Sequence, residues 1–361
     1  MERFSFKTKI ISGSGAISAL EEFGAKRLFL VSDPHFVKNG TAQKVVSLSK
    51  CEKYEVFDKV TPDPAVELAA EGAARVRSFA PDLIVALGGG STMDCAKAMA
   101  HFSKANAKLV AIPTTSGSGS EVTDFAILTH NQVKHPLVDE TLRPDTAILD
   151  SDLLTELPRN LIADGGFDVL THALEAYTAR GAGPISDLFS REAFSCAYAC
   201  LPASYAGRQE VRLKLHMAAT MAGMAFTQAG LGLCHAMAHS LGGMFHVPHG
   251  RLNAILLPAI IVCNGSAAGK KYAELARAAG MGGSAETIAV RNLRNCIIRL
   301  RRELGLPETL TQAGINSRLI WSNAGQIVKA TLEDPCCRSN PVTVDDFMVR
   351  RILEAVTGRG G

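Results

Sequence analysis

Histidines and one aspartate in the second half of the chain have the spacing of metal ligands. Asp168 and His172 are four residues apart in a segment of helical composition, and His235 and His239 repeat this spacing. Residues i and i+4 of an α-helix share one face, so each pair presents two side chains to the same side. His249 follows in a proline-bounded turn that could bring it back to the second pair.

The donor types point to a borderline divalent metal ion. A carboxylate with several imidazoles suits Fe(II), Zn(II), Mn(II) or Co(II), and ligand type alone does not choose among them. A single histidine on an apolar helix is usually a core residue, but two i,i+4 pairs predict metal binding. The nine cysteines lack paired zinc-finger spacing, which argues against a structural zinc site. Such an ion would act as a Lewis acid on a substrate oxygen, and the spacing leaves all five residues as candidate ligands.

A glycine-rich loop in the first half has the features of a phosphate site. Residues 88–91, Gly-Gly-Gly-Ser, follow an apolar run and precede a helical run over residues 93–101. Glycines let the backbone approach a ligand, and a helix N-terminus offers N–H groups to a phosphate. Asp94, in the first turn predicted for this helix, could cap the helix or contact a ribose. Three glycines are also compatible with an ordinary turn.

A second loop and an acidic residue strengthen the prediction of a dinucleotide site. Residues 113–120 are rich in Thr, Ser and Gly and also follow an apolar strand. Loops at the carboxyl ends of parallel strands are where open α/β sheets bind ligands. Asp33 ends an earlier strand, where its carboxylate could accept hydrogen bonds from a ribose and repel a 2′-phosphate, which favours NAD over NADP. The glycine pattern is not G-x-G-x-x-G, so we expect a variant dinucleotide fold.

The elements that must position these residues change in character along the chain. Apolar strands over residues 27–33, 82–88 and 108–113 alternate with helical stretches such as residues 65–79, which predicts a parallel sheet covered on both sides. Beyond residue 155, helical patterns dominate, over residues 161–177, 186–201, 210–227, 235–245 and 287–304. We therefore predict a Rossmann-like α/β domain over residues 1–155 and an all-helical domain over residues 156–361.

Composition excludes several other classes of function. The 361 residues are 47% hydrophobic and 20% charged, and the net charge of +3 is too small to indicate nucleic-acid or membrane binding. No run of apolar residues is long enough to predict a membrane span. The first ten residues lack the apolar core of a secretory signal. The expected location is cytoplasmic, with the nine cysteines as reduced thiols.

These motifs together resemble the iron-containing (group III) alcohol dehydrogenase family, over nearly the whole chain. The matching segments are residues 88–94 (Gly-Gly-Gly-Ser-Thr-Met-Asp), residues 113–122, Asp168 with His172, and residues 230–239 running on to residues 248–250. The resemblance implies an N-terminal domain that binds NAD(P), an all-helical C-terminal domain, and an active site in the cleft between them.

The resemblance also implies a role for each candidate residue. Asp168, His172, His235 and His249 would bind the metal, Fe(II) foremost with Zn(II) as the alternative, and His239 would lie beside nicotinamide and substrate as the catalytic residue. Phe226 falls where the family lines its substrate pocket, although a packing phenylalanine would look the same. Positions that match cofactor contacts are Asp33, Gly88, Gly89, Gly90, Ser91, Asp94, Thr114, Thr115, Ser118 and Lys134.

Within the family, several segments are similar to the 1-propanol dehydrogenases of propanediol-utilisation microcompartments, among them residues 57–64, 168–176 and 224–232. This likeness implies reduction of propionaldehyde to 1-propanol with NADH, a homodimer, and microcompartment shell or cargo proteins as partners. Ethanol dehydrogenases of ethanolamine microcompartments are near relatives, so the chain length of the preferred substrate stays open. A dehydroquinate-synthase-like lyase would need several basic residues around the site, and the largely apolar stretch from Asp168 to His249 supplies few. A catalytically inactive scaffold would not need an intact set of metal ligands, so the presence of this set argues against that alternative.

Overall fold

The computed structural model of the chain describes residues 4–130 and 133–358. These residues form two compact units, one over Ser5–Leu157 and the other over residue 4 with residues 158–358. The division falls between Leu157 and Pro158, and the sequence predicts a boundary near residue 155.

The first unit is built on a six-stranded sheet in which every pairing is parallel. The strands are β1 (Lys9–Gly13), β2 (Arg27–Ser32), β3 (Lys53–Phe57), β4 (Leu83–Gly88), β5 (Lys108–Pro113) and β8 (Thr146–Asp150). Their order in the sheet is β1-β8-β5-β4-β2-β3. The predicted parallel sheet is confirmed. Strands β2, β4 and β5, whose apolar runs are buried, are the three predicted ones. The edge strands β1 and β3, which are partly exposed, and the buried strand β8 were not predicted.

Helices cover both faces of this sheet. They are α1 (Pro34–Lys38), α2 (Thr41–Ser49), α3 (Val66–Phe79) and α4 (Gly90–Ser103). Alternate residues of β2 enter opposite cores: Phe29 packs in a cluster with residues of α3 and α4, whereas Leu28 packs in a second cluster with residues of α2. Side chains alternate across a strand, so a strand buried on both faces is a continuous apolar run.

The first unit also contains a β-hairpin that was not predicted from the sequence. Its antiparallel strands are β6 (Phe125–His130) and β7 (Val133–Val138). Ala126 and Leu128 of β6 are buried, whereas most of β7 is polar or exposed. The hairpin carries Lys134, one of the predicted cofactor contacts.

The second unit contains helices and no strand among its described residues, which confirms the predicted all-helical domain. Its helices are α5 (Arg159–Thr178), α6 (Pro184–Tyr205), α7 (Arg212–Ala229), α8 (Leu233–Phe245), α9 (His249–Ala278), α10 (Glu286–Glu303), α11 (Ser317–Ser322), α12 (Ala324–Glu333), α13 (Cys336–Ser339) and α14 (Asp346–Thr357). The longest, α9, was not predicted. Pro248 is its N-cap residue and Pro258 lies inside it, and proline inside a helix is unfavourable because it removes a hydrogen bond.

Helix α9 also corrects the expectation that no segment is long and apolar enough to cross a membrane. It meets that criterion by length and composition, but 67% of its apolar window is buried inside the protein. Leu252, Leu256 and Ile260 are fully buried. The core helix of a globular unit passes the same test, and α9 is the core helix of this one.

Candidate metal centre and dinucleotide-binding loops

Three histidine side chains from three helices converge on one carboxylate oxygen of Asp168 in the helical unit. Asp168 and His172 lie one turn apart on α5, His235 is on α8, and His249 is the first residue of α9. The Nε2 atoms of His172, His235 and His249 lie 3.8, 3.7 and 3.5 Å from Oδ1 of Asp168. The expected return of His249 to the cluster therefore occurs, but from a helix N-terminus rather than from an isolated turn.

The distances and donor atoms of this cluster fit a divalent metal ion. Ligand atoms about 2.1 Å from a tetrahedral ion are about 3.4 Å apart, close to the separations around Asp168. One ligand atom each of Asp168, His172 and His235 lies within 4.8 Å of the other two. All three side chains are buried, with His249 at the more exposed side. The set is one carboxylate and three imidazoles, the chemistry that iron and zinc accept.

In this cluster, burial and the neighbouring charged groups shift the pKa values of the side chains in opposite directions. Burial disfavours the Asp168 carboxylate, but His172, His249 and His235 together outweigh it and hold the pKa of Asp168 well below its usual range. Burial likewise opposes a charged His235, yet its bonds to Asp168 and Glu175 raise its pKa to about 9. The carboxylates thus favour positive charge at this position.

Glu175 orients His235, a role that the sequence analysis missed. Its Oε2 lies 2.7 Å from Nδ1 of His235 and accepts from the backbone N–H of Gly232, while its Oε1 accepts from the N–H of Cys234. When Nδ1–H of His235 donates a hydrogen bond to Glu175, the lone pair on Nε2 is directed at the cluster. The spacing from Asp168 is seven residues, two helical turns, so a continued i, i+4, i+7 pattern could have identified Glu175.

Asn253 supplies a further unpredicted contact. Its Nδ2 donates to Oδ1 of Asp168 at 2.9 Å, and the residue is fully buried on α9. This bond orients the carboxylate oxygen on which the three histidines converge. Asn253 lies four residues after His249, so it belongs to the same helix face.

His239 lies beside the cluster and has a partner of its own. Its Nδ1 is 2.9 Å from Oδ2 of Asp334, and its ring stacks on that of His249 with centroids 5.1 Å apart. Phe226 stacks on His172 with centroids 4.4 Å apart and is buried. The structure therefore brings both residues to the cluster, and it adds Asp334, which lies too far along the chain for spacing to suggest it.

In the first unit, the strand order creates the switch point where doubly wound sheets bind ligands. Strands β2 and β4 are neighbours, and the chain proceeds from them towards opposite edges of the sheet. Asp33 directly follows β2 and Gly89 directly follows β4, so both lie at carboxyl ends on either side of this point. Oδ1 of Asp33 also accepts from the N–H of His35 and caps α1.

The two glycine-containing loops pack against each other. The N–H of Thr114 donates to the carbonyl of Gly88 at 2.9 Å. A Cβ on Gly89 would lie 3.3 Å from Oγ1 of Thr115. A side chain at position 89 would therefore press on Thr115 unless the second loop shifted by a few tenths of an ångström.

The same packing continues into helix α4, which begins at Gly90 and includes Ser91. A Cβ on Gly90 would lie 3.0 Å from the side chain of Ser118. Gly89 is the N-cap residue and makes no side-chain cap bond. The start of α4 therefore has no side-chain cap at its N-cap residue, and uncapped N–H groups at a helix N-terminus are suited to binding phosphates.

Asp94 does not cap α4, because the helix begins four residues before it. Its Oδ1 accepts from Oγ of Ser120 at 2.6 Å and its Oδ2 from the N–H of Ile127 at 3.0 Å. Burial raises the pKa of this carboxyl. Asp94 therefore ties the second loop and the hairpin to α4, and a ribose contact stays a prediction.

Lys97, which the sequence analysis missed, anchors the same loop. It is fully buried, and its Nζ donates to the carbonyl and Oγ of Ser120 and to Oγ1 of Thr123, at 2.8–2.9 Å. Burial lowers its pKa to about 8. Lys134 on the hairpin instead forms an ion pair with Asp63 at 2.6 Å.

Comparison with known proteins relates both units to one family. The model of the iron-containing alcohol dehydrogenases matches residues 7–151, and that of the Fe-containing alcohol dehydrogenase family, C-terminal, matches residues 162–357.

Two curated relatives match along almost their whole length. The chain is 36% identical to the NADPH-dependent butanol dehydrogenase of Clostridium saccharobutylicum, over 99% of this chain and 98% of the relative. It is 37% identical to the 1-propanol dehydrogenase of Salmonella typhimurium, over 98% and 99%. Among solved structures, the sulfoacetaldehyde reductase from Bifidobacterium kashiwanohense in complex with NAD+ aligns with a TM-score of 0.89 at 26% identity, covering 99% of this chain and 98% of that one.

Proposed function

Because the chain belongs to the iron-containing alcohol dehydrogenase family and is therefore an oxidoreductase, we propose that it interconverts short-chain aldehydes and alcohols with NAD(H). The substrate that we propose is propionaldehyde, reduced to 1-propanol. The similarity to a 1-propanol dehydrogenase supports this choice, and the butanol dehydrogenase at similar identity makes a C4 substrate the nearest alternative.

The observation that carries the proposal is the convergence of three histidine Nε2 atoms on Oδ1 of Asp168. We assign Asp168, His172, His235 and His249 as the ligands of a divalent metal ion, iron by family. When bound, that ion would supply Lewis acidity towards a substrate oxygen, and NAD(H) would supply or accept the hydride. Glu175 and Asn253 hold His235 and Asp168 in the orientation this binding needs.

The residues around the ligands would handle the proton and the substrate chain. His239 is partly exposed, and Asp334 holds its Nδ1, which leaves Nε2 to give or take a proton at the substrate oxygen. Phe226, stacked on His172, would give the pocket an apolar wall suited to a short alkyl chain. Carboxylates and imidazoles dominate the site, which suits a neutral substrate.

The loops of the first unit are the proposed dinucleotide site. The N-terminus of α4 and the packed loops at residues 88–91 and 113–120 would hold the pyrophosphate. Asp33 would accept hydrogen bonds from the adenosine ribose and disfavour a 2′-phosphate. We therefore propose NAD(H) as the cofactor, although one relative is named as NADPH-dependent. A homodimer and a place in a bacterial microcompartment remain predictions from the family resemblance.

The test is NADH consumption by anaerobically purified, iron-loaded protein with aldehydes of two to four carbons. We expect turnover with propionaldehyde at least as efficient as with its neighbours. Asp168→Asn should abolish both metal retention and turnover, whereas Asp187→Asn, which disturbs an ion pair with Lys271, should preserve both. Absence of turnover with every aldehyde would contradict the proposal.

A further inference from the structure

We propose that His239, Asp334 and Cys336 form a second metal site, which takes a thiophilic divalent ion such as Zn²⁺. One ligand atom from each of the three lies within 4.8 Å of the other two. We call this group the thiolate site. It shares no residue with the cluster around Asp168.

Local structure holds the three side chains together. His239 lies on α8, Asp334 is the C-cap residue of α12, and Cys336 begins α13. Oδ2 of Asp334 is 2.9 Å from Nδ1 of His239, and its Oδ1 accepts from the backbone N–H of Cys336 at 2.8 Å. His239 and the backbone of Cys336 therefore orient the two oxygens of the Asp334 carboxylate.

The electrostatic position of Asp334 favours a cation. The C-terminus of a helix carries partial negative charge, and Asp334 adds a carboxylate at the end of α12. His239 and the N–H of Cys336 stabilise this carboxylate. The side chains of Asp334 and His239 are only 14% and 21% exposed. They are therefore largely desolvated yet still reachable by an ion from solution.

The donor set selects a different ion from the first site. Cysteine, histidine and aspartate are the ligands that Zn²⁺ accepts, and three of them leave the open fourth position of a catalytic-type zinc site. The cluster around Asp168 offers nitrogen and oxygen atoms only, so sulfur gives the thiolate site its preference for softer ions. On binding, the S–H bond of Cys336 breaks, its proton passes to solvent, and a sulfur–metal bond forms. Carboxylate and thiolate then neutralise the divalent charge, which limits repulsion of an ion in the first site.

A functional consequence follows, and it rests on the proposed function. A histidine ring with one nitrogen on a metal ion and a hydrogen on the other has no lone pair left to accept a proton. Zn²⁺ at the thiolate site would therefore stop proton transfer by His239 while the first metal stays bound. Excess zinc should inhibit the enzyme at least tenfold without displacing iron.

The site itself is tested without catalysis, by titrating the full-length protein with Co²⁺. A sulfur-to-cobalt charge-transfer band in the near ultraviolet reports a thiolate ligand, which the cluster around Asp168 cannot supply. We expect the band to appear with wild type and with Asp168→Asn, to vanish in Cys336→Ser, and to persist in Cys337→Ser, the adjacent thiol. No band in wild type, or a band that survives in Cys336→Ser, would overturn the proposed site.

Inhibition is then measured separately on the iron-loaded protein, with iron content followed by elemental analysis. Wild type and Cys337→Ser should lose activity on zinc addition with iron retained, and Cys336→Ser should resist. If the cobalt band behaves as expected but the protein reduces no aldehyde, the function proposed above fails while the thiolate site stands. Iron loss in step with inhibition would overturn the inhibitory role of this site.

Discussion

Glu175 and His235 face each other across helices α5 and α8, with Oε2 of Glu175 2.7 Å from Nδ1 of His235. The same carboxylate accepts backbone N–H groups at the start of α8. One buried side chain thus sets both the position of the helix that carries His235 and the tautomer of its ring. A neutral His235 with its proton on Nδ1 has Nε2 as the only nitrogen able to bind a metal.

Replacing Glu175 by glutamine should weaken metal binding by about 10- to 100-fold. The amide has only one accepting oxygen, so its NH₂ group must face either His235 or the N–H groups of α8. Metal affinity is measured by competition with a chelator. Glu274→Gln, which alters a bond from Tyr177 in the same unit, should leave the affinity unchanged. Equal losses in the two variants would indicate general destabilisation instead of a specific role.

Truncation of His235 and of His239 should separate metal binding from proton transfer. His235→Ala removes a ligand and should lose most of the bound metal. His239→Ala should retain about one equivalent and lower kcat by about 10²- to 10⁴-fold, the usual contribution of a positioned acid or base. Elemental analysis and steady-state kinetics distinguish the two. If His239→Ala also empties the first site, the assigned division of roles is wrong.

Asp33→Asn should shift cofactor preference towards NADPH. Asparagine keeps an oxygen that can accept from the N–H of His35 and cap α1, so the change removes charge with little loss of structure. Relief of about 1.4 kcal/mol of repulsion corresponds to a tenfold gain, and we expect at least that gain in kcat/KM for NADPH relative to NADH. An exposed aspartate such as Asp346, changed to asparagine, provides the control. An unchanged ratio of the two kcat/KM values would mean that the 2′-position of the adenosine ribose lies away from Asp33.

Lys97→Met should alter how the stability of the first unit depends on pH. Burial lowers the pKa of Lys97 from 10.5 to about 8. Between these values the unfolded chain binds more protons than the folded one, so the contribution of Lys97 to stability rises with pH and is lost as pH falls to 8. The free energy of unfolding of wild type minus that of Lys97→Met should therefore increase by about 3 kcal/mol from pH 8 to 10.5.

Denaturant titrations at several pH values measure this difference. Lys329→Met, at an exposed position of α12, should show no such trend. If the difference in free energy of unfolding between wild type and Lys97→Met also does not change with pH, Lys97 titrates near its ordinary pKa in the folded protein.

Sequence pattern was sufficient for most of the architecture where burial is one-sided or complete, with the short, fully buried strand β8 as an exception. The apolar runs of β2, β4 and β5 and the helical spacing after residue 155 follow directly from periods of two and 3.6 residues. The edge strands β1 and β3 were missed because partial exposure mixes polar residues into them. Helix α9 was missed because a proline inside it resembles a stop, yet its many buried residues outweigh the lost hydrogen bond.

The sequence by itself determined the ligand types, because Asp168 with His172 and His235 with His239 are paired by helix geometry within a few residues. Only the tertiary structure decided which atoms meet. His249 joins Asp168, His239 pairs with Asp334, and Glu175 reaches His235, each across helices and each tens of residues apart in the chain. Such contacts depend on how whole helices pack, since local spacing constrains only neighbours within about two turns.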